Sequence, residues 1–210
     1  EANTQINGAT IENAICAVNL CNPADEHGSG GVVQATDAVF RNNSKSIRAT
    51  DYSNYSENPN VEAANVSSFN QCSFTVDEDY NNEIGIYAEN TGYATIIMND
   101  FMVGTKGACN YGIYLDHVTN FCIEENTFSR DNYVITMNKI YGIAVKNSAS
   151  FNDIYLNHFS NLYCGVVAIG SNRIPGLPNL DLGLTYTCNT NYGNTNDIGV
   201  LREGVYGNID

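Results

Sequence analysis

The chain has 210 residues, 43% of them apolar and only 15% charged, with 23 acidic against 9 basic side chains and a formal net charge of -14 at pH 7. That apolar fraction supports a core and excludes a disordered composition. The acidic excess repels phosphate backbones and argues against nucleic acid as a partner, and no apolar run approaches the ~20 residues of a membrane-spanning helix.

In chain order, Ile6/Ala9/Ile11, Ala35/Ala38/Phe40 and Phe69/Cys72/Phe74 are loose copies of a hexad that becomes strict at 96–101 (IIMNDF), 123–128 (IEENTF) and 154–159 (IYLNHF). Each strict copy reads Ile-x-x-Asn-x-Phe, and a last loose copy follows at Tyr186/Asn189/Asn191. The final positions step by 29, 34, 27, 27, 31 and 32 residues. A period in that range marks an array of stacked units. A second motif, a small residue followed by Ile/Val-x-Ala/Leu/Val, interleaves with the first. It is clearest at 85–88 (GIYA), 112–115 (GIYL), 142–145 (GIAV) and 165–168 (GVVA), with weaker copies at 14–17, 46–49 and 197–200.

Each period is therefore predicted to carry two short strands separated by Asn, Ser, Thr and Gly turns. Strands this short cannot stand alone, but identical strands from successive coils can stack in parallel around one continuous core. The expected fold is all-β, a parallel β-helix (solenoid) of about seven coils of 27–34 residues, as one segment over residues 1–210. Solenoids carry polar caps, whereas EANTQINGATIENA at the start already lies inside the repeat. The segment is expected to belong to a longer protein with adjoining domains.

The aligned motifs predict inward columns Ile86/Ile113/Ile143/Val166, Ala88/Leu115/Val145/Ala168, Ile96/Ile123/Ile154 and Phe101/Phe128/Phe159. Asn99, Asn126 and Asn157 are expected to stack at one sharp bend, each in a left-handed backbone conformation with its amide bonded to the next. Cys72 takes the same place in an earlier coil, as packed core. Longer excursions are read at 19–30, 50–65 and 170–181, and shorter turns at 77–83 and 130–139. The seven Cys (Cys16, Cys21, Cys72, Cys109, Cys122, Cys164, Cys188) show no zinc spacing; Cys16 and Cys21 are close enough for a short-loop bridge.

The paired motifs resemble the right-handed parallel β-helix of the pectin-lyase-like superfamily over nearly the whole chain. More narrowly, GGVVQATDAVFRNN, SSFNQCSF and YGIAVKNSASFNDIYLNHFSNL look like repeats of large Bacteroidetes surface proteins exported by type IX secretion. The resemblance implies an extracellular or cell-surface location and an adhesive or glycan-related role. It supplies no catalytic residues: the NTD, DD, GHG and RIK strings of polygalacturonase-like members are absent.

Three sets of residues are candidates for chemistry. Asp77, Glu78 and Asp79 could hold Ca2+, a hard cation that prefers oxygen clusters, with Arg130 or Lys146 as the base that a pectate-lyase-like enzyme would need; the alternative is a solvated acidic turn. Glu89, Asp116 and His117 form a polar edge, read either as an acid/base site or as the polar turn after a strand. Tyr87 and Tyr114, outward and one coil apart, could offer a platform to a sugar ring or simply stack to strengthen the sheet. The expected function is a non-catalytic adhesive or glycan-binding scaffold, its partners glycans or other surface proteins. The alternatives are a polysaccharide lyase or glycoside hydrolase, and a purely structural stalk.

Overall fold

The computed structural model describes residues 3–20, 31–50, 67–77, 80, 83–106, 109–130, 138–174 and 183–201. These residues form a parallel β-solenoid of three seven-stranded sheets. The first sheet holds β1 (Asn3–Asn7), β4 (Val32–Thr36), β7 (Ser68–Asn70), β10 (Thr95–Ile97), β13 (Cys122–Glu124), β16 (Asn152–Tyr155) and β19 (Leu184–Thr187). The second holds β2 (Thr10–Glu12), β5 (Val39–Arg41), β8 (Ser73–Thr75), β11 (Asp100–Met102), β14 (Thr127–Ser129), β17 (His158–Ser160) and β20 (Thr190–Tyr192). The third holds β3 (Cys16–Leu20), β6 (Lys45–Thr50), β9 (Ile84–Glu89), β12 (Cys109–Asp116), β15 (Lys139–Lys146), β18 (Cys164–Ile169) and β21 (Asn196–Leu201). Among the described residues no helix is long and apolar enough to cross a membrane.

Each rung thus carries three strands, where the sequence pattern suggested two. The hexad is split: Ile96 lies in β10 of the first sheet and Phe101 in β11 of the second, with the bend between them. The bend expected within the hexad is there, and by separating two strands it lets both apolar ends point inward. Asn19, Leu20, Thr50 and Lys139, assigned to excursions or turns, lie within strands; the remainder of the three long excursions falls mostly outside the described residues.

The inward columns form as aligned. Ile113 pairs with Ile86 and Ile143, and Leu115 with Ala88 and Val145. Ile123 pairs with Ile96 and Ile154. Phe40, Phe74, Phe101, Phe128 and Phe159 stack in sequence with ring centroids 4.5 to 5.0 Å apart. Burying each such ring contributes about 1.5–3 kcal/mol, and each stack about 0.5–1.5 kcal/mol more. The ring of Phe128 needs room beside it, and Gly112 provides it. A Cβ on Gly112 would sit 2.7 Å from the Gly142 carbonyl oxygen and 2.8 Å from Phe128 Cδ1. Gly85 and Gly142 serve Phe101 and Phe159 in the same way.

The Asn ladder is present but works differently from the expectation. The left-handed residue is the one before each Asn: φ is +56° at Met98, +55° at Glu125 and +54° at Leu156. With the preceding residue making the turn, the Asn itself is left inward and buried. Asn126 Oδ1 accepts from Asn99 N and Asn99 Nδ2, both at 2.9 Å. Asn157 Oδ1 accepts likewise from Asn126, and Asn189 Oδ1 from Asn157. Cys72, 1% exposed, donates its backbone N–H to Asn99 Oδ1.

Other bends repeat this device. Asn43 Oδ1 takes the N–H of Ala14, Ser67 Oγ that of Val33, Ser148 Oγ that of Val118, Asn152 Oδ1 that of Phe121 and Asn194 Oδ1 that of Leu162. In each case the acceptor sits one rung later in the chain. Buried N–H groups at corners would otherwise lack partners.

Candidate functional site

The outer face of the third sheet gathers most of the candidate residues. In β9 and β12, Tyr87 and Tyr114 are directly paired neighbours, and so are Glu89 and Asp116. The row of Tyr87 continues to Arg48 on β6 and Ala144 on β15; that of Glu89 continues to Thr50, and that of Asp116 to Lys146. Alternation along each strand turns Ile86, Ala88, Ile113 and Leu115 into the core and the intervening Tyr outward.

The two rings stack with centroids 5.7 Å apart and planes 12° from parallel. Each turns a face to the other, so the pair offers solvent a ridge of ring edges and hydroxyls, where the sequence suggested a flat shared platform. The Tyr87 hydroxyl donates to Glu89 Oε2 at 2.7 Å. Burial, reinforced by Glu89, pushes the Tyr87 phenol above its usual pKa.

Asp116 is 8% exposed. Its Oδ2 lies 3.3 Å from Lys146 Nζ, and its Oδ1 lies 2.7 Å from His117 Nδ1, although this buried oxygen receives no well-aligned hydrogen bond. His117 has φ +53°, matching Asn90, Asn147 and Gly170 in the same turn of neighbouring rungs. Its N–H donates to the Lys146 carbonyl at 2.9 Å, as Asn90 N–H does to Asp116 at 3.0 Å. Backbone geometry alone accounts for the position of His117, since His joins Asn as a residue enriched at positive φ. The imidazole is largely exposed beside a carboxylate that orients it.

The acidic turn is placed elsewhere. Asp77 donates its N–H to Asn42 Oδ1 and accepts from Asn42 Nδ2, both at 2.8 Å, and Arg41 Nε lies 3.9 Å away. This reciprocal pair fastens two rungs at a corner. Glu78 and Asp79 lie outside the described residues. Lys146 stands two rungs further along, in β15, and Arg130 follows β14, so the structure does not unite either with Asp77. Among the described residues no group of three His, Cys, Asp or Glu is placed to hold a metal ion. Cys21 also lies outside the described residues, and with it the bridge to Cys16.

Sequence reasoning missed a second cluster on this face. Ala144 and Val167 point outward yet are 0% and 2% exposed, and they pack with Tyr141, Cys164, Tyr111, Tyr114, Tyr163 and Ile169. Tyr111 stacks on Tyr141 at 5.1 Å and meets Tyr114 edge-on at the same distance. Lys139 Nζ lies over the Tyr163 ring at 5.9 Å. The signal was two apolar residues in a column that also holds Asn19, Arg48, Tyr87, Tyr114 and Gly199. The outer face is thus closed at Ala144 and Val167 over β15 and β18, and partly exposed at Arg48, Tyr87 and Tyr114 over β6, β9 and β12. Comparison with known protein families, with curated proteins and with solved structures finds no match to this chain.

Proposed function

We propose that this chain is a rigid, non-catalytic scaffold of a secreted or cell-surface β-helix protein, and that it binds glycans along the outer face of the third sheet. The observation that carries this reading is the partly exposed Tyr87–Tyr114 ridge, flanked by Glu89, which takes the Tyr87 hydroxyl, and by the Asp116–Lys146 pair. Tyr supplies a large amphipathic contact at little conformational cost, and its hydroxyl and the adjoining Glu89 and Lys146 are suited to sugar hydroxyls. The carboxylates that could do chemistry are committed to neighbours: Asp77 to Asn42, Glu89 to Tyr87, Asp116 to Lys146. The resemblance of the repeats to those of exported Bacteroidetes surface proteins supports the location.

A glycan array probed with the wild-type chain and with Tyr87→Ala/Tyr114→Ala tests this. Binding by the wild type and its loss in the double variant is the expected result. Absence of binding to any glycan, together with turnover of a polysaccharide, overturns it.

A second reading, a polysaccharide lyase or hydrolase, draws on one observation: the Asp116–His117 approach of 2.7 Å beside Glu89. A screen for unsaturated uronides and new reducing ends, with and without Ca2+, decides it; a blank screen removes the reading.

A further inference from the structure

The glycan-binding reading leaves open which class of sugar the face would take, and here the disposition of charge is informative. The chain as a whole carries -14. The strip beside the tyrosine ridge does not share that excess. In the rows of Tyr87 and Glu89 the charged members are Arg48, Lys146, Glu89 and Asp116, two of each sign, on four adjacent strands of one sheet; Lys45 and Lys139, at the other ends of β6 and β15, face Glu83 at 3.8 Å and the Tyr163 ring. Asp116 is held against Lys146 at 3.3 Å, and Glu89 accepts the Tyr87 hydroxyl at 2.7 Å. The exposed His117 imidazole stands beside Asp116.

We infer that the ligand of this face is an uncharged sugar chain lying along the solenoid axis, and not a uronic-acid polymer; the inference rests on the glycan-binding reading above. A charge-balanced strip gives no net attraction to either sign, while the surrounding acidic surface repels a polyanion before it arrives. A polyuronide would also bring its carboxylates against Glu89, where like charges oppose binding. Neutral sugar hydroxyls suit the same strip, because each can donate to a carboxylate and accept from an ammonium or guanidinium. The axial direction follows from spacing. Adjacent parallel strands lie about 4.8 Å apart, comparable with one pyranose unit, so the rows of Arg48, Tyr87 and Tyr114 can address successive sugars.

The test is binding of the folded chain to soluble neutral polymers (β-glucan, mannan, xylan) and to polygalacturonate, at low and high salt. Wild type, Tyr87→Ala/Tyr114→Ala and Glu89→Lys are compared, with thermal unfolding as the folding control. Tyr87→Phe/Tyr114→Phe, which keeps the rings and removes the hydroxyls, serves if the alanine variant unfolds. The expected result is binding of a neutral polymer that salt leaves unchanged, since uncharged ligands are not screened. It should weaken about tenfold or more in the tyrosine variant, the loss typical of an aromatic anchor. Glu89→Lys should gain measurable, salt-sensitive binding of polygalacturonate. Salt-sensitive binding of polygalacturonate by the wild type, with neutral polymers ignored, overturns the inference and leaves the glycan-binding reading standing. Failure to bind any polymer removes both.

Discussion

Replacing Asn126 by Ala is the sharpest test of what holds the rungs in register. Asn126 is 1% exposed. Its Oδ1 is the acceptor for Asn99 N–H, and its Nδ2 donates to the Ile96 and Glu124 carbonyls and to Asn157 Oδ1. Truncation leaves the Asn99 N–H buried without a partner, at a cost of about 1–3 kcal/mol, and deletes several further bonds each worth about 1 kcal/mol net. The expected loss is about 2–5 kcal/mol, at the upper end of single substitutions. The same change at Asn189, which is only partly buried at the last rung, should cost less, because water can reach the Asn157 N–H that it leaves open. Urea unfolding measures both, and amide hydrogen exchange at Asn99 reports the orphaned donor directly. Equal losses at the two positions, or an unchanged exchange rate at Asn99, would refute the reasoning.

Gly112→Ala places a methyl group against the Phe128 ring and the Gly142 carbonyl, and should destabilise by about 1–3 kcal/mol through overpacking. Gly199→Ala, whose nearest neighbour is the Cys164 thiol at 3.3 Å, should be neutral or slightly stabilising; equal urea midpoints for the two would contradict the packing account. Alkaline pH should weaken the fold through Cys164, whose thiol burial pushes up from 9.0 to about 11. Below pH 9.0 the contribution is constant; as pH rises to about 11 the unfolded thiol loses its proton while the folded one keeps it, so stability falls. The loss reaches about 2–3 kcal/mol at 1.36 kcal/mol per pKa unit. A urea midpoint that stays flat from pH 8 to 11, or one that falls equally in Cys164→Ala, would exclude this thiol as the cause.

The core was legible because it is periodic. Ile96, Ile123 and Ile154 recur at fixed offsets from Phe101, Phe128 and Phe159, and parallel stacking maps each offset onto one column. The bend inside the hexad was legible from its Asn, but not that the residues on either side of it belong to two strands in different sheets, since each side is only three residues long. Nor was the identity of the left-handed residue: Met98, Glu125 and Leu156 are not types that signal positive φ, yet the same position is left-handed in every rung, at Asp37 before Ala38 and Gln71 before Cys72 as well. On the outer face the rows of Tyr87, Glu89 and Asp116 could be aligned by counting. The orientation of the rings, the Asp116–Lys146 pair and the covering of Ala144 depend on side-chain directions and on contacts distant in sequence, which spacing does not encode.

The side-chain acceptors that reach back one rung give this fold a temporal order. A rung's corner N–H groups are satisfied only when the next rung arrives with its carboxamide or hydroxyl, as Asn126 does for Asn99 and Asn157 for Asn126. A chain emerging amino terminus first therefore locks each rung with the one behind it, and only the newest rung is left with open corners. Growth from the other end would leave the newest rung with open acceptors in place of open donors, so one column of amides gives the stack two chemically different ends.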